Sequence, residues 1–332
     1  MLNLNEFLPL LFLGLMGLSM LIYVVLDGYD LGVGVLMHWA TPEEKDRMIS
    51  AIGPFWDANE TWLVLGVGIL LVAFPMAQGM VLTALYLPVS VMLAGLILRG
   101  VAFDFRAKAH ADHKRLWDRL FSLGSLVASL AQGFMLGMYV TGLVYTKQAV
   151  AFSAVVAVCL VAGYSLLGAC WLVLKTEGEL QRKAILWAKR CLKWAGLGVA
   201  LISVATPLAS QRVADRWFTM PEFFLMLPIP LITAVLFIAT YQLLKKLPRV
   251  NDRWSWVPFI SVVGIFVLAF HGLAYSMFPY LVVDKMTAWQ GAASLESLKI
   301  LAVGTLIVLP AILCYTAYSY YVFRGKARDL VY

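Results

Sequence analysis

Residues 7–34 read FLPLLFLGLMGLSMLIYVVLDGYDLGVG. The stretch from Phe7 to Leu26 carries no charge, and roughly 20 such residues are what a helix needs to cross the hydrocarbon core of a bilayer. Asp27 and Asp30 follow at once. Ionisable residues at membrane depth are costly and tend to be functional. Three residues apart, the two carboxyls share one face of a helix. Gly28, Gly32 and Gly34 leave room for a neighbouring helix to approach closely.

The rest of the chain repeats the apolar pattern. Eight further stretches are long enough to span, with approximate cores at 51–74, 79–103, 120–144, 150–174, 193–211, 222–244, 257–283 and 298–323, after a first core at 7–27. The second and third are joined by a tight turn near Pro75, and the first helix can run on to about Trp39. The composition agrees, with 62% hydrophobic and only 14% charged residues, against about 25% charged in soluble domains. The fold class is therefore an all-α polytopic membrane protein of about nine spans, and residues 1–332 form a single integral membrane domain.

The net charge of +7 does not point to nucleic acid. The basic residues sit in short segments between apolar runs, where they set orientation. Twenty of the 26 Lys and Arg fall in the loops after spans one, three, five and seven and in the C-terminal tail. Lys147, Arg212, Arg216, Lys285 and Lys299 fall on the other side, and Arg99 lies inside the third span. The basic side is expected to be cytoplasmic, with the N-terminus periplasmic and the C-terminus cytoplasmic. The start, Met-Leu-Asn-Leu-Asn-Glu, lacks the basic segment of a secretory signal, so the first apolar stretch is expected to remain as a span. Residues 179–194, ELQRKAILWAKRCLKW, suit either a helix lying along the interface or an extension of the sixth span.

The second span opens Gly53-Pro54-Phe55-Trp56-Asp57-Ala58-Asn59-Glu60-Thr61-Trp62. Asp57 and Glu60 also share a face, and both acidic pairs fall in the cytoplasmic halves of antiparallel helices. Arg99 near the end of the third span is a counter-ion candidate, with Asp104 and Arg106 at the interface as further ion-pair candidates. One reading is a buried cluster that fixes packing; the other is a proton path from the cytoplasm. Four acids against one base is an excess of acid, which favours proton handling at Asp57. For Asp27 and Asp30 the two readings stand level. Among the four histidines only His271 is at membrane depth, and one histidine without a second ligand is read as a hydrogen-bonded core residue. The four cysteines form no CxxC pair and no metal site is expected. No nucleotide or hydrolase fingerprint occurs.

At these residues the sequence resembles a known family. DGYDLGVG, GPFWDANETWL, LYLPVSVMLAGLILRGVAFDFR and the tail LPAILCYTAYSYYVFRGK are similar, in order, to segments of subunit II of cytochrome bd-type quinol oxidases. The resemblance implies two four-helix bundles plus one peripheral helix, the first bundle at about 1–145 and the second, with the last helix, at about 146–332. It implies a haem-bearing subunit I as partner, carrying two b haems and one d haem. The Gly-Arg-Gln-Pro-Trp signature of that subunit is missing here. This chain is expected to ligate no haem, to support quinol oxidation and reduction of oxygen to water, and to lie in a bacterial cytoplasmic membrane. Asp57 matches an aspartate placed on a proton route in the family, while Trp56 and Trp62 are read as packing residues. Further expectations are a small single-helix subunit and a bound quinone or lipid. Glu60, where some members carry Gln, and the short chain resemble the branch often called cyanide-insensitive. From outside this family, the competing reading is a proton-coupled secondary transporter with Asp57 and Glu60 at its coupling site.

Overall fold

The computed structural model describes residues 3–108, 110–248 and 252–327. Among them nine helices are long and apolar enough to cross a membrane. In chain order the elements begin with α1 (Leu4–Leu36), α2 (Pro42–Ile52), α3 (Trp56–Ala73), α4 (Pro75–Lys108), α5 (Ala111–Val140), α6 (Lys147–Lys175) and α7 (Gly178–Ala209). There follow α8 (Gln211–Phe218), α9 (Glu222–Met226), α10 (Pro228–Lys246), α11 (Val257–Met277), α12 (Ala288–Gly291) and α13 (Leu295–Val322). A short antiparallel hairpin of β1 (Tyr280–Val282) and β2 (Met286–Thr287) precedes α12.

Helices α1, α3, α4 and α5 pack as one group, and α6, α7, α10 and α11 as a second; α1 against α6, and α5 against α6, join them. The last helix, grouped by sequence with the second half, lies along α3 and α1. Residues 51 and 52 belong to α2, so the second span starts at Trp56 rather than at the 51 expected from hydropathy. Thr41 caps α2: its hydroxyl accepts from Glu44 N at 3.3 Å while Glu44 Oε2 accepts from Thr41 N at 2.8 Å. Of the two readings for residues 179–194, the extension holds, because α7 runs unbroken from Gly178 to Ala209.

Lipid removes most of the hydrophobic drive for helix association, so close packing has to hold the spans together. The tightest approach is α1 on α6. A Cβ on Gly32 would stand 1.8 Å from Tyr164 O, and one on Gly168 would stand 2.4 Å from Val33 N. Only glycine fits on either side of that crossing. From Asp27 to Leu36 every residue of α1 is buried, so this helix is the centre of the first group and the natural place for a polar site. Helix α4 kinks at Leu85 (φ −108°, ψ 16°), because Pro88 cannot donate to the Ala84 carbonyl and its ring crowds it. Tyr145 Oη donates to that carbonyl at 2.8 Å.

Candidate functional site

The acids singled out in the first two spans do not behave alike. Asp27 and Asp30 are fully buried on α1. Arg99, on α4 and 1% exposed, donates to Asp27 Oδ1 at 2.6 Å and also binds the Glu60 carboxylate of α3. Glu60 is partly exposed at 28%. The guanidinium also lies 5.8 Å from the Trp56 ring, which packs on Phe103. One cation therefore holds two carboxylates from two different helices.

Asp30 is reached from the other side by a neutral network. Asn59 Nδ2 donates to Asp30 Oδ2 at 2.8 Å and to Tyr29 Oη at 2.9 Å. Tyr320 of α13 stands 2.6 Å from Tyr29 Oη and donates to Asn59 Oδ1 at 3.1 Å. Further along α1, Gln132 of α5 donates to Tyr23 Oη at 2.8 Å and accepts from Tyr164 Oη of α6 at 2.7 Å. Asp27 Oδ2, Asp30 Oδ1 and Arg99 Nε have no hydrogen-bond partner among the described residues. Buried polar atoms are rarely left so, and these three all belong to the acid–arginine cluster.

Asp57 is exposed on the outer face of α3 rather than turned into the bundle. It heads a stripe with Thr61, Val64 and Leu71, all exposed. The expectation that Asp57 and Glu60 act from one face is corrected: they are about 60° apart around the helix, which puts Glu60 on Arg99 and Asp57 on the surface. The two interface ion-pair candidates, Asp104 and Arg106, part in the same way. Two residues apart they lie on opposite sides of α4; Asp104 is exposed, whereas Arg106 binds Asp118 at 2.6 Å and Asp46 at 2.9 Å. Trp62 is buried and Trp56 half-buried. Gly28 faces Tyr164, and Gly34 faces Ser125 at a distance no side chain could occupy.

His271 is not a core residue: it is exposed on α11, its Nδ1 2.8 Å from Val267 O. Among the described residues no three His, Cys, Asp or Glu side chains converge as a metal site. His38 follows α1, and His110 and His113 open α5. Among the described residues the histidines thus offer no facing pair in the bundle that would fit a haem iron. Sequence reasoning overlooked Asn59, Tyr320, Tyr29, Tyr23, Gln132 and Tyr164. Only Asn59 carried a signal, as a buried-side amide between two acids in the second-span motif.

This is a polytopic helical membrane protein with an acid–arginine cluster inside its first helix group. A sequence model of the family described as cytochrome bd terminal oxidase subunit II matches residues 8–323, and the chain belongs to that family. It is 27% identical over 326 residues to the cytochrome bd ubiquinol oxidase subunit 2 of Bacillus subtilis (strain 168), covering 92% of each chain. It is likewise 27% identical over 359 residues to the cytochrome bd-I ubiquinol oxidase subunit 2 of Escherichia coli (strain K12), covering 94% of this chain and 93% of that one. Its fold matches a chain in the structure of bd oxidase from Geobacillus thermodenitrificans with a TM-score of 0.77 at 18% identity, over 96% and 97% of the two chains. Nothing in these comparisons supports the transporter reading.

Proposed function

We propose that the chain is the non-haem subunit of a bd-type quinol:oxygen oxidoreductase in a bacterial cytoplasmic membrane. In this reading its partner is a haem-bearing subunit I, which holds two b haems and one d haem, oxidises quinol and reduces oxygen to water. This chain supplies scaffold, a helix surface for the partner, and proton access through Asp57, Glu60, Asp27 and Asp30. The observation that carries the reading is the cluster of Asp27, Asp30, Glu60 and Arg99, whose Glu60 stands one turn along α3 from Asp57, itself on an otherwise uncharged exposed stripe. A carboxylate alone on such a stripe suits contact with another membrane subunit, and proton transfer across that contact. The basic loops support a cytoplasmic C-terminus and a periplasmic N-terminus, so that these acids lie on the proton-uptake side. A bound quinone or lipid and a small single-helix subunit are compatible with the long exposed faces of α10 and α13.

The test is affinity purification of the tagged chain from gently solubilised membranes. A second large subunit with b and d haem absorbance, and quinol-dependent oxygen consumption by the preparation, is the expected result. A colourless preparation without that partner, from cells that respire through no such oxidase, overturns the reading.

A further inference from the structure

The two helix groups differ in how their cations are balanced. In the first, carboxylates stand beside the arginines: Asp27 and Glu60 on Arg99, Asp118 and Asp46 on Arg106. In the second, α6, α10 and α11 contain no Asp or Glu, and α7 contains only Glu179. The carboxylates around the start of α7 are already engaged. Glu179 pairs with Arg182 at 2.9 Å, Glu44 with Lys183 at 2.8 Å, and Asp252 with Lys326. Glu177 precedes α7, about 18 Å along the axis from Lys189. Lys189, Lys193 and Lys245 pair with no carboxylate among the described residues.

These three lysines border one seam. Lys189, Lys193 and Gly196 follow one stripe of α7, and Phe237, Tyr241 and Lys245 one stripe of α10. The stripes meet where a Cβ on Gly196 would stand 3.6 Å from the Phe237 ring. The start of α7 and the end of α10 lie on the same side, since Gln181 Nε2 donates at 2.8 Å to Asp252 Oδ1 in the segment after α10. Counted from the Gly196–Phe237 contact toward that side, Lys189 stands about 10 Å along α7 and Lys245 about 12 Å along α10, at one level. Lys245 Nζ lies 4.5 Å over the Tyr241 ring. Trp194, beside Lys193, is 67% exposed, as aromatic residues are at a membrane–water boundary. Deeper in the membrane the outer faces carry Leu197, Leu201, Val235 and Ile238, all exposed. Orientation asks only that cations lie on this side; it does not gather them at one seam that lacks carboxylates. We infer that the α7–α10 seam binds an anionic phospholipid of the leaflet on this side. Its phosphate is held by Lys189, Lys193 and Lys245, and its chains lie on the apolar faces of α7 and α10. The phosphate brings the negative charge that these helices lack at headgroup depth, and the apolar faces hold what a free anion does not have. The site does not depend on the proposed function; only its assignment to the cytoplasmic leaflet rests on the orientation given there.

The experiment uses the full-length chain in the assembly in which it leaves the membrane. The preparation is delipidated and titrated with dioleoylphosphatidylglycerol while native mass spectra count the bound lipid. Parallel titrations use dioleoylphosphatidylcholine and inorganic phosphate. One variant is Lys189→Gln/Lys193→Gln/Lys245→Gln. The other, Arg47→Gln/Arg115→Gln/Arg119→Gln, removes the same charge from exposed positions of α2 and α5. Each lysine near a membrane surface contributes about fivefold, so the lysine variant should bind phosphatidylglycerol about 100-fold more weakly than wild type. The arginine variant, its changes screened from the seam, should stay within about twofold. Phosphatidylcholine and inorganic phosphate should bind wild type no better than the lysine variant. Equal phosphatidylglycerol binding by wild type and the lysine variant overturns the inference. So does an equal loss in the arginine variant, which would make net charge the cause. Inorganic phosphate bound as tightly as the lipid overturns it in favour of a free anion, and phosphatidylcholine bound as tightly overturns it in favour of apolar contact alone. If the lysine variant does not assemble, Lys193→Gln and Lys245→Gln singly should each lose about fivefold, and no loss in either overturns the inference. No haem or turnover is read, so failure of the proposed function leaves this result standing.

Discussion

Removing Arg99 alone should do more harm than removing it together with the charges it holds. In Arg99→Met the fully buried Asp27 carboxylate loses its partner at 2.6 Å, and Glu60 loses its own. Leaving one member of a buried pair uncompensated costs about 3–5 kcal/mol. Asp27 carries most of that cost here, because Glu60 is 28% exposed and can be screened by water. A loss of that size is a large part of the roughly 5–15 kcal/mol that holds a typical domain. The triple variant Arg99→Met/Asp27→Asn/Glu60→Gln removes the charges together. Replacing both sides of a buried pair is often close to neutral, so it should recover to within about 1–2 kcal/mol of wild type. The assay is the yield of haem-containing complex per cell, with thermal melting of whatever is purified. Arg99→Met is expected to assemble poorly and the triple variant nearly normally. A triple variant as defective as the single one refutes the reasoning; the loss would then come from the guanidinium's packing on Trp56.

Three further outcomes follow from the same geometry. Asp57→Asn should assemble normally, since an exposed substitution away from any ion pair stays within about 0.5 kcal/mol, yet oxygen consumption should fall by about 100-fold or more if Asp57 passes protons to the partner; full turnover in an assembled complex sinks that role. Gly32→Ala should lower the melting temperature, because the new Cβ meets Tyr164 O at 1.8 Å and overpacking costs about 1–3 kcal/mol. Gly14→Ala meets nothing within 4 Å and should raise it slightly through helix propensity; equal melting of the two variants would count against the crossing described. At Glu44, burial alone would raise the carboxyl, but the Lys183 ammonium and Thr41 N–H outweigh it and hold the group below the usual glutamate range. A lowered folded-state value means stability present above the unfolded pKa and lost as pH falls through the folded one. Thermal melts should therefore show wild type losing its advantage over Glu44→Gln below about pH 4; a constant gap from pH 7 to pH 3 would contradict it.

The spans were legible in the sequence because crossing lipid is a bulk property: enough apolar length suffices, whatever the neighbours. The Arg99 cluster was half legible for a related reason. A charge at membrane depth is costly wherever it points, so Asp27, Asp30, Glu60 and Arg99 stand out before any fold is known. Which acid meets the arginine was not legible. Three residues apart counts as one face by spacing, yet it is also a turn of about 60°. On α1 that angle is harmless, because residues 27–36 are buried on all sides by α3, α5 and α6. On α3, with a side open to the surface, the same angle separates Glu60 on the cation from Asp57 outside.

The neutral half of the site was invisible for a different reason. Asn59, Tyr29, Tyr320, Gln132, Tyr23 and Tyr164 carry no charge, and tyrosines near span ends are already explained by the interfacial belts. Their role comes from being brought together across 261 residues in the case of Tyr320 and Asn59. That separation is closed by the last helix, which is otherwise held by little beyond its two buried residues and the bond from Lys175 Nζ to Gly325 O past its end. There the Asn59 nitrogen reaches Asp30 Oδ2, Tyr29 Oη and Leu26 O while its oxygen accepts from Tyr320. The acids alone therefore do not define the site: charge places them, and neutral groups arriving from α3 and α13 complete the hydrogen-bond network around Asp30.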